Sequence, residues 1–140
     1  MGNNQICEGI STMKYVLGFA AAAAFALTSA SAMASGNAAD GEKMFKKVCF
    51  SCHSEKAGVK KTGPSLFGIV GRKAGTVEGF KYTDANKNSG KTWDAATLDT
   101  YLKNPKAFIP GTNMVLPTPG GGIAADADRA NLVAYLASLK

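Results

Sequence analysis

Apolar Met44, Phe45 and Val48 recur at near-helical spacing against Lys43, Lys46 and Lys47, which predicts an amphipathic helix from Asn37 or Ala38 to Val48. From Ser54 to Gly79 no period of either kind is sustained, and six glycines and Pro64 interrupt the chain, so loops are expected there. Tyr82 to Asn88 reads as a short helical turn. Thr92 is suited to cap a helix from about Trp93 to Lys103, which stops before Pro105 and buries Trp93, Leu98, Tyr101 and Leu102. Pro105 to Gly111 is another short turn-rich piece, and Pro117 to Gly122 reads as loop. From Asp126 to Leu139, Leu132, Val133, Leu136 and Leu139 fit the 3.6-residue period, with two acids at the start where the helix dipole favours them. Four helical pieces and no convincing strand predict an all-α fold with long connections.

A different pattern occupies Met13 to Ala34: Lys14, an apolar Ala-rich run from Tyr15 to Leu27, then small residues ending in Ala32-Met33-Ala34. This is the order of a secretory signal peptide, with cleavage expected before Ser35. The run is short for a membrane span of roughly 20 residues, although a retained anchor is the alternative. Residues 1–12 carry Glu8 and no basic residue and read as an upstream or non-native extension, with Met13 the candidate initiator and Cys7 without a role. The domain organisation expected is therefore an extension 1–12, a leader 13–34 and one domain, 35–140.

Composition narrows the picture in two ways. The chain of 140 residues is 46% hydrophobic and has a formal net charge of +6, which favours an acidic partner. An exported chain with scattered lysines argues against nucleic acid and for a charged protein or an anionic surface. A domain of this size buries roughly two thirds of its unfolded surface, so its core gains from a large apolar cofactor.

The chemistry concentrates in Cys49-Phe50-Ser51-Cys52-His53, which uses two of the three cysteines and the only histidine. Two thiols three apart followed by an imidazole have the spacing that attaches a c-type haem covalently through its vinyl groups and offers a ring nitrogen to the iron. A thioredoxin-like pair is one rival, but the predicted helix ends at the motif, where its dipole disfavours a thiolate. Zinc is another, yet a closed site wants four ligands and no further Cys or His follows. A sixth iron ligand from this chain would be a methionine. Met44 sits on the first helix and is more naturally core; Met114, in an irregular segment, can close over the second haem face, with ordinary core filler as its alternative.

Around these residues stand Gly41-Glu42-Lys43, Thr62-Gly63-Pro64, Gly71-Arg72-Lys73, Tyr82 through Asn88, Asn104-Pro105-Lys106 and Ile109-Pro110-Gly111-Thr112-Asn113-Met114. In that order and spacing the chain resembles mono-haem class I cytochromes c of the mitochondrial type, including their bacterial periplasmic relatives, over nearly all of 40–140. The resemblance implies the class I fold: N- and C-terminal helices packed together through Gly41, Phe45, Leu132 and Tyr135, with loops and short helices wrapping one covalent haem. It implies His53 and Met114 as the axial pair and Pro64 as the carbonyl that accepts the second ring N–H of the histidine. It further implies Arg72, Tyr82 and Trp93 as donors to the haem propionates, and Asn86, Tyr101 and Thr112 as a polar network on the methionine side.

Three departures from the family pattern touch the surface. Leu116 stands where an aromatic residue is frequent. Lys47, Lys61 and Lys106 remain of a basic ring in which Val48, Ala107 and Asn113 now occupy other positions, and Pro117 to Gly122 lengthens the approach to the last helix, which opens on Asp126 and Asp128. The function implied is a soluble, monomeric periplasmic one-electron carrier and not an enzyme. Redox proteins are the implied partners: a membrane cytochrome complex or periplasmic dehydrogenase as donor, a terminal oxidase or reaction centre as acceptor, with at most peripheral membrane contact. A haem enzyme or gas sensor with an open sixth iron position is the alternative.

Overall fold

The computed structural model describes residues 36–140; the expected extension 1–12 with Cys7 and the expected leader 13–34 lie outside the described residues. The first helix, α1, spans Ala38–Val48. Asn37 caps it, its side-chain oxygen accepting from the N–H groups of Ala39 and Asp40 at 2.9 and 3.3 Å and so pairing two of the donors a helix start leaves free. Asp40 in the first turn and Lys46 and Lys47 in the last match the helix dipole. The last helix, α5, spans Asp126–Ser138 and has no side-chain cap, its first turn carrying Asp126 and Asp128 instead.

α1 and α5 pack directly against each other, and glycine is what lets them meet. A Cβ on Gly41 would stand 2.0 Å from the Asn131 carbonyl oxygen, far inside contact distance, so any side chain there would push the helices apart. Beside that crossing Phe45 is completely buried, its ring 5.4 Å from that of Tyr135, and Leu132 is equally inaccessible. Each such side chain contributes about 1.5–3 kcal/mol by leaving water. The Asn37 N–H donates to Asn131 Oδ1 at 2.7 Å, tying the start of α1 to the middle of α5.

Three short helices lie between: α2, Asp84–Lys87; α3, Ala95–Lys103; and α4, Pro105–Phe108. Among the described residues there is no strand, only an isolated antiparallel bridge between Lys73 and Thr92. That bridge corrects the expected start of the third helix. Trp93 donates its N–H to Arg72 O and accepts from Gly71 N–H, both at 2.9 Å, so Thr92 and Trp93 are extended. Asp94, not Thr92, is the cap, its carboxylate accepting from Thr97 N–H at 2.7 Å. The expected turn at 82–88 contracts to α2 with Thr83 as cap, and the expected loop at 117–122 contains a 3-10 turn, Pro119–Gly121. Among the described residues no helix is long and apolar enough to cross a membrane. The architecture is all-α with long loops, and those loops enclose a cavity between α3 and the segment that follows α1.

Candidate functional site

All eleven candidate site residues line one cavity of about 320 Å³: Cys49, Cys52, His53, Pro64, Arg72, Tyr82, Asn86, Trp93, Tyr101, Thr112 and Met114. Leu66, Ile69, Leu98, Leu102 and Leu136 supply much of its apolar wall.

Cys49 terminates α1, its N–H bonding back to Phe45 O, and the next turn brings Cys52 and His53 N–H groups onto Cys49 O at 3.0 and 2.9 Å. The two thiols therefore sit on one tight turn. Burial, with the neighbouring Cys52 adding to it, pushes the Cys49 thiol up to about 12. A thiol so reluctant to ionise is a poor redox nucleophile. Among the described residues no group of three or more His, Cys, Asp and Glu stands close enough to hold a metal ion.

His53 is buried, and its Nδ1–H donates to Pro64 O at 2.8 Å. Burial lowers its pKa, the Pro64 bond works the other way, and Lys61 and Arg72 lower it further. The ring is thus neutral with one tautomer selected, and Nε2 is the nitrogen left with a lone pair for a ligand. Gly63 presses on the ring: a Cβ there would lie 2.3 Å from His53 Cε1, 2.6 Å from Nδ1 and 2.8 Å from Nε2. Only hydrogen fits, which gives Thr62-Gly63-Pro64 its physical meaning.

Another wall is built by α3 and the segment after α4. The buried Tyr101 hydroxyl and Thr112 Oγ1 lie 3.2 Å apart, and Thr112 Oγ1 accepts from Met114 N–H at 3.2 Å. Asn86 is buried beside them at α2, its side-chain oxygen accepting from Thr83 Oγ1 at 2.9 Å. Burial raises the Tyr101 pKa against the opposing bonds from Thr112 and Asn86, so the hydroxyl is a proton donor throughout the neutral range. Met114 is half-buried on this wall and packs against the core.

Arg72, Tyr82 and Trp93 converge on the cavity from the bridge and the loop before α2. Arg72 holds itself there by donating Nη1 to Phe67 O at 3.0 Å and Nη2 to Ser65 O at 2.9 Å. The Trp93 ring is buried with its centroid 4.8 Å from that of Tyr101, while Phe80 packs edge-on to Tyr82, also at 4.8 Å. An apolar cleft with two thiols and an imidazole at one end and an arginine, a tyrosine and a tryptophan on its walls fits a flat, mostly apolar macrocycle that carries carboxylates.

Two residues with structural weight are not among the sequence candidates. Glu55 accepts from the Tyr135 hydroxyl at 2.5 Å, joining the turn after the haem motif to α5 across 80 positions, and nothing local signals it. Arg129 is only 3% exposed and bonded to Asp99 and Asp126. Its signal is present in the sequence, since position 129 lies on the stripe of Leu132, Val133 and Leu136.

The family described as Cytochrome c matches residues 38–140 of the chain. The chain is 43% identical over 105 residues to cytochrome c of Euglena viridis, which covers 75% of this chain and 99% of that one. It is 50% identical over 105 residues to cytochrome c of Gibberella zeae, covering 74% and 95% respectively. To cytochrome c2 of Rhodomicrobium vannielii it is 50% identical over 114 residues, 79% of this chain and 85% of the relative.

Proposed function

From the premise that this chain belongs to the cytochrome c family, we propose that His53 and Met114 are the axial ligands of its haem iron and that it shuttles electrons between redox proteins outside the cytoplasm. The protein is an electron carrier and not an enzyme, and its cofactor is a covalent haem c held by Cys49 and Cys52. That group supplies a one-electron couple between ferrous and ferric iron.

The observation that carries the ligand reading is the convergence of a pre-oriented imidazole and a thioether on one apolar cavity. Pro64 orients His53 and raises the basicity of Nε2, whereas Thr112 and Tyr101 hold the backbone from which Met114 projects. A neutral thioether favours reduced iron, so this pair suits a carrier of relatively high potential. Arg72, Tyr82 and Trp93 take the propionates, whose charge would be costly unpaired in a dry cleft. All of these groups stand in position before an electron arrives, which keeps reorganisation small.

Export is supported by the composition of 13–34, and N-terminal sequencing of protein from the periplasmic fraction is expected to begin at Ser35. Several lysines are already paired on the surface, Lys43 with Asp40, Lys46 with Glu42 and Lys87 with Asp84, which thins the positive field that a partner meets. Small, short-lived contacts with a membrane cytochrome complex or periplasmic dehydrogenase on one side, and a terminal oxidase or reaction centre on the other, suit such a surface.

Spectroscopy tests the ligand pair. The ferric protein should show the near-red sulfur-to-iron band and the reduced protein should resist carbon monoxide. Met114→Ala should abolish the band, lower the potential and open the iron to carbon monoxide. An unchanged band and potential in the variant would remove Met114 from the site.

A further inference from the structure

We infer that Arg129, which touches neither the cavity nor Met114, is the positioning residue that holds the Met114 segment closed. The inference rests on the reading of Met114 as the iron ligand. Arg129 is buried, and a buried guanidinium is tolerable only when its donors are paired. Every one of its N–H groups has a partner. Nε donates to Asp99 Oδ1 at 2.9 Å and Nη2 reaches Asp99 Oδ2 at 3.5 Å; Nη2 also donates to Asp126 Oδ1 at 2.5 Å; Nη1 donates to Ile123 O at 2.9 Å and Ala124 O at 2.8 Å.

Two of those partners, the Ile123 and Ala124 carbonyls, lie on the chain that runs away from Met114, and Asp126 opens the helix that follows it. From Thr112 to Ala125 the sequence contains no charged residue and only the 3-10 turn Pro119–Gly121, in which Gly120 and Gly121 both have positive φ, +79° and +73°. Such a segment has little rigidity of its own. Near Met114 it is held by Thr112 on Tyr101, and beyond the turn by Ile123 N–H donating to Leu102 O at 2.8 Å and by the two carbonyls on Arg129.

Arg129 in turn bonds Asp99, so both ends of the segment are fastened to α3, one at Tyr101 and the other at Leu102 and Asp99. Between the ends, Leu116 is buried and its N–H donates to Gly121 O at 3.3 Å. A segment clamped at both ends presents its methionine in one position. Released at the far end, two carbonyls and two carboxylates lose a charged donor, and the cheapest response is for the uncharged segment to swing toward water and carry Met114 away.

The test compares haem-loaded full-length proteins by the rate at which added imidazole replaces the native sixth ligand of the ferric form. Arg129→Lys keeps the charge and loses the fork, while Asp99→Asn is a milder second variant that weakens the same clamp. Both should raise the rate by about tenfold or more, as losing charge-assisted bonds on a closed state predicts. Val133→Ala, a core change in α5 away from the cavity lining and destabilising overall, should change it less than twofold. On a Met114→Ala background, already fast, Arg129→Lys should add nothing.

If Arg129→Lys and Asp99→Asn exchange ligand at the parental rate, or no faster than Val133→Ala at equal loss of stability, the inference is wrong and the Met114 reading stands. Should Met114→Ala itself leave the rate unchanged, the Met114 reading fails and takes the inference with it.

Discussion

Gly63→Ala is the sharpest perturbation the structure suggests, because one methyl group would act on the imidazole proposed above to serve the iron. The added carbon would stand 2.3, 2.6 and 2.8 Å from three ring atoms of His53, whereas ordinary carbon contacts are about 3.5–4.0 Å. Ring or loop must move by more than about 1 Å to restore contact. Moving the ring breaks the 2.8 Å bond to Pro64 and leaves a buried donor unsatisfied, at about 1–3 kcal/mol. Crowding the loop costs a further ~1–3 kcal/mol. A combined loss of about 2–6 kcal/mol is a large part of the 5–15 kcal/mol that holds a domain together, and it lowers Tm by roughly 10–45 °C.

The assay is thermal unfolding of the haem-loaded protein followed by circular dichroism, with the reduction potential measured alongside. Gly58→Ala is the matched control. Gly58 has φ +70° and open space around it, so that substitution meets only the left-handed backbone penalty of about 1–2 kcal/mol and leaves the potential alone. If Gly63→Ala melts no lower than Gly58→Ala and keeps the parental potential, the packing of Gly63 on the ring is not a constraint and the physical reading of Thr62-Gly63-Pro64 collapses.

Two further outcomes are expected beside those for Met114 and Arg129. The Thr97 N–H holds the Asp94 carboxylate below the usual aspartate pKa, so its capping contribution is present above the unfolded value of about 3.9 and fades as pH falls through the lower folded value. Asp94→Ala should therefore melt about 4–8 °C below the parent at pH 7, with the gap closing toward pH 2; a pH-independent gap would contradict the charged cap. Tyr135→Phe removes the hydroxyl that donates to Glu55 and should cost about 1 kcal/mol in urea unfolding with an unchanged m-value. No shift in the midpoint would mean that water replaces the bond without loss.

Much of the protein is legible in the sequence because the relevant interactions span few residues. α1 and α5 follow from apolar residues at helical spacing, and the predicted span to Val48 is the observed one. The haem motif is equally local: one turn after α1 brings both thiols and the imidazole together, so spacing alone carries the chemistry. Reading Met114 as a candidate needs only the inventory of soft donors and a segment irregular enough to fold over.

Local pattern fails where a distant stretch of chain competes for the same backbone. Thr92 has the side chain of a cap and Trp93 that of a helix residue, yet Arg72 takes the Trp93 N–H and Gly71 donates to its carbonyl, so the helix starts at Ala95. Propensity is weaker than two backbone bonds made to a stretch of chain about 20 residues away.

By itself, then, the sequence determined the helical framework, the covalent haem anchor and the family pattern that linked its other motifs, because each depends on neighbours a turn or two apart or on the order of short motifs. Only the tertiary structure decided that Gly63 bears on the His53 ring, that Tyr135 reaches Glu55 across 80 positions and that Arg129 pairs with Asp99 across 30. Steric exclusion and the pairing of buried donors depend on which atoms meet once the chain has closed around the cavity, and that meeting is a property of the path, not of any window along it.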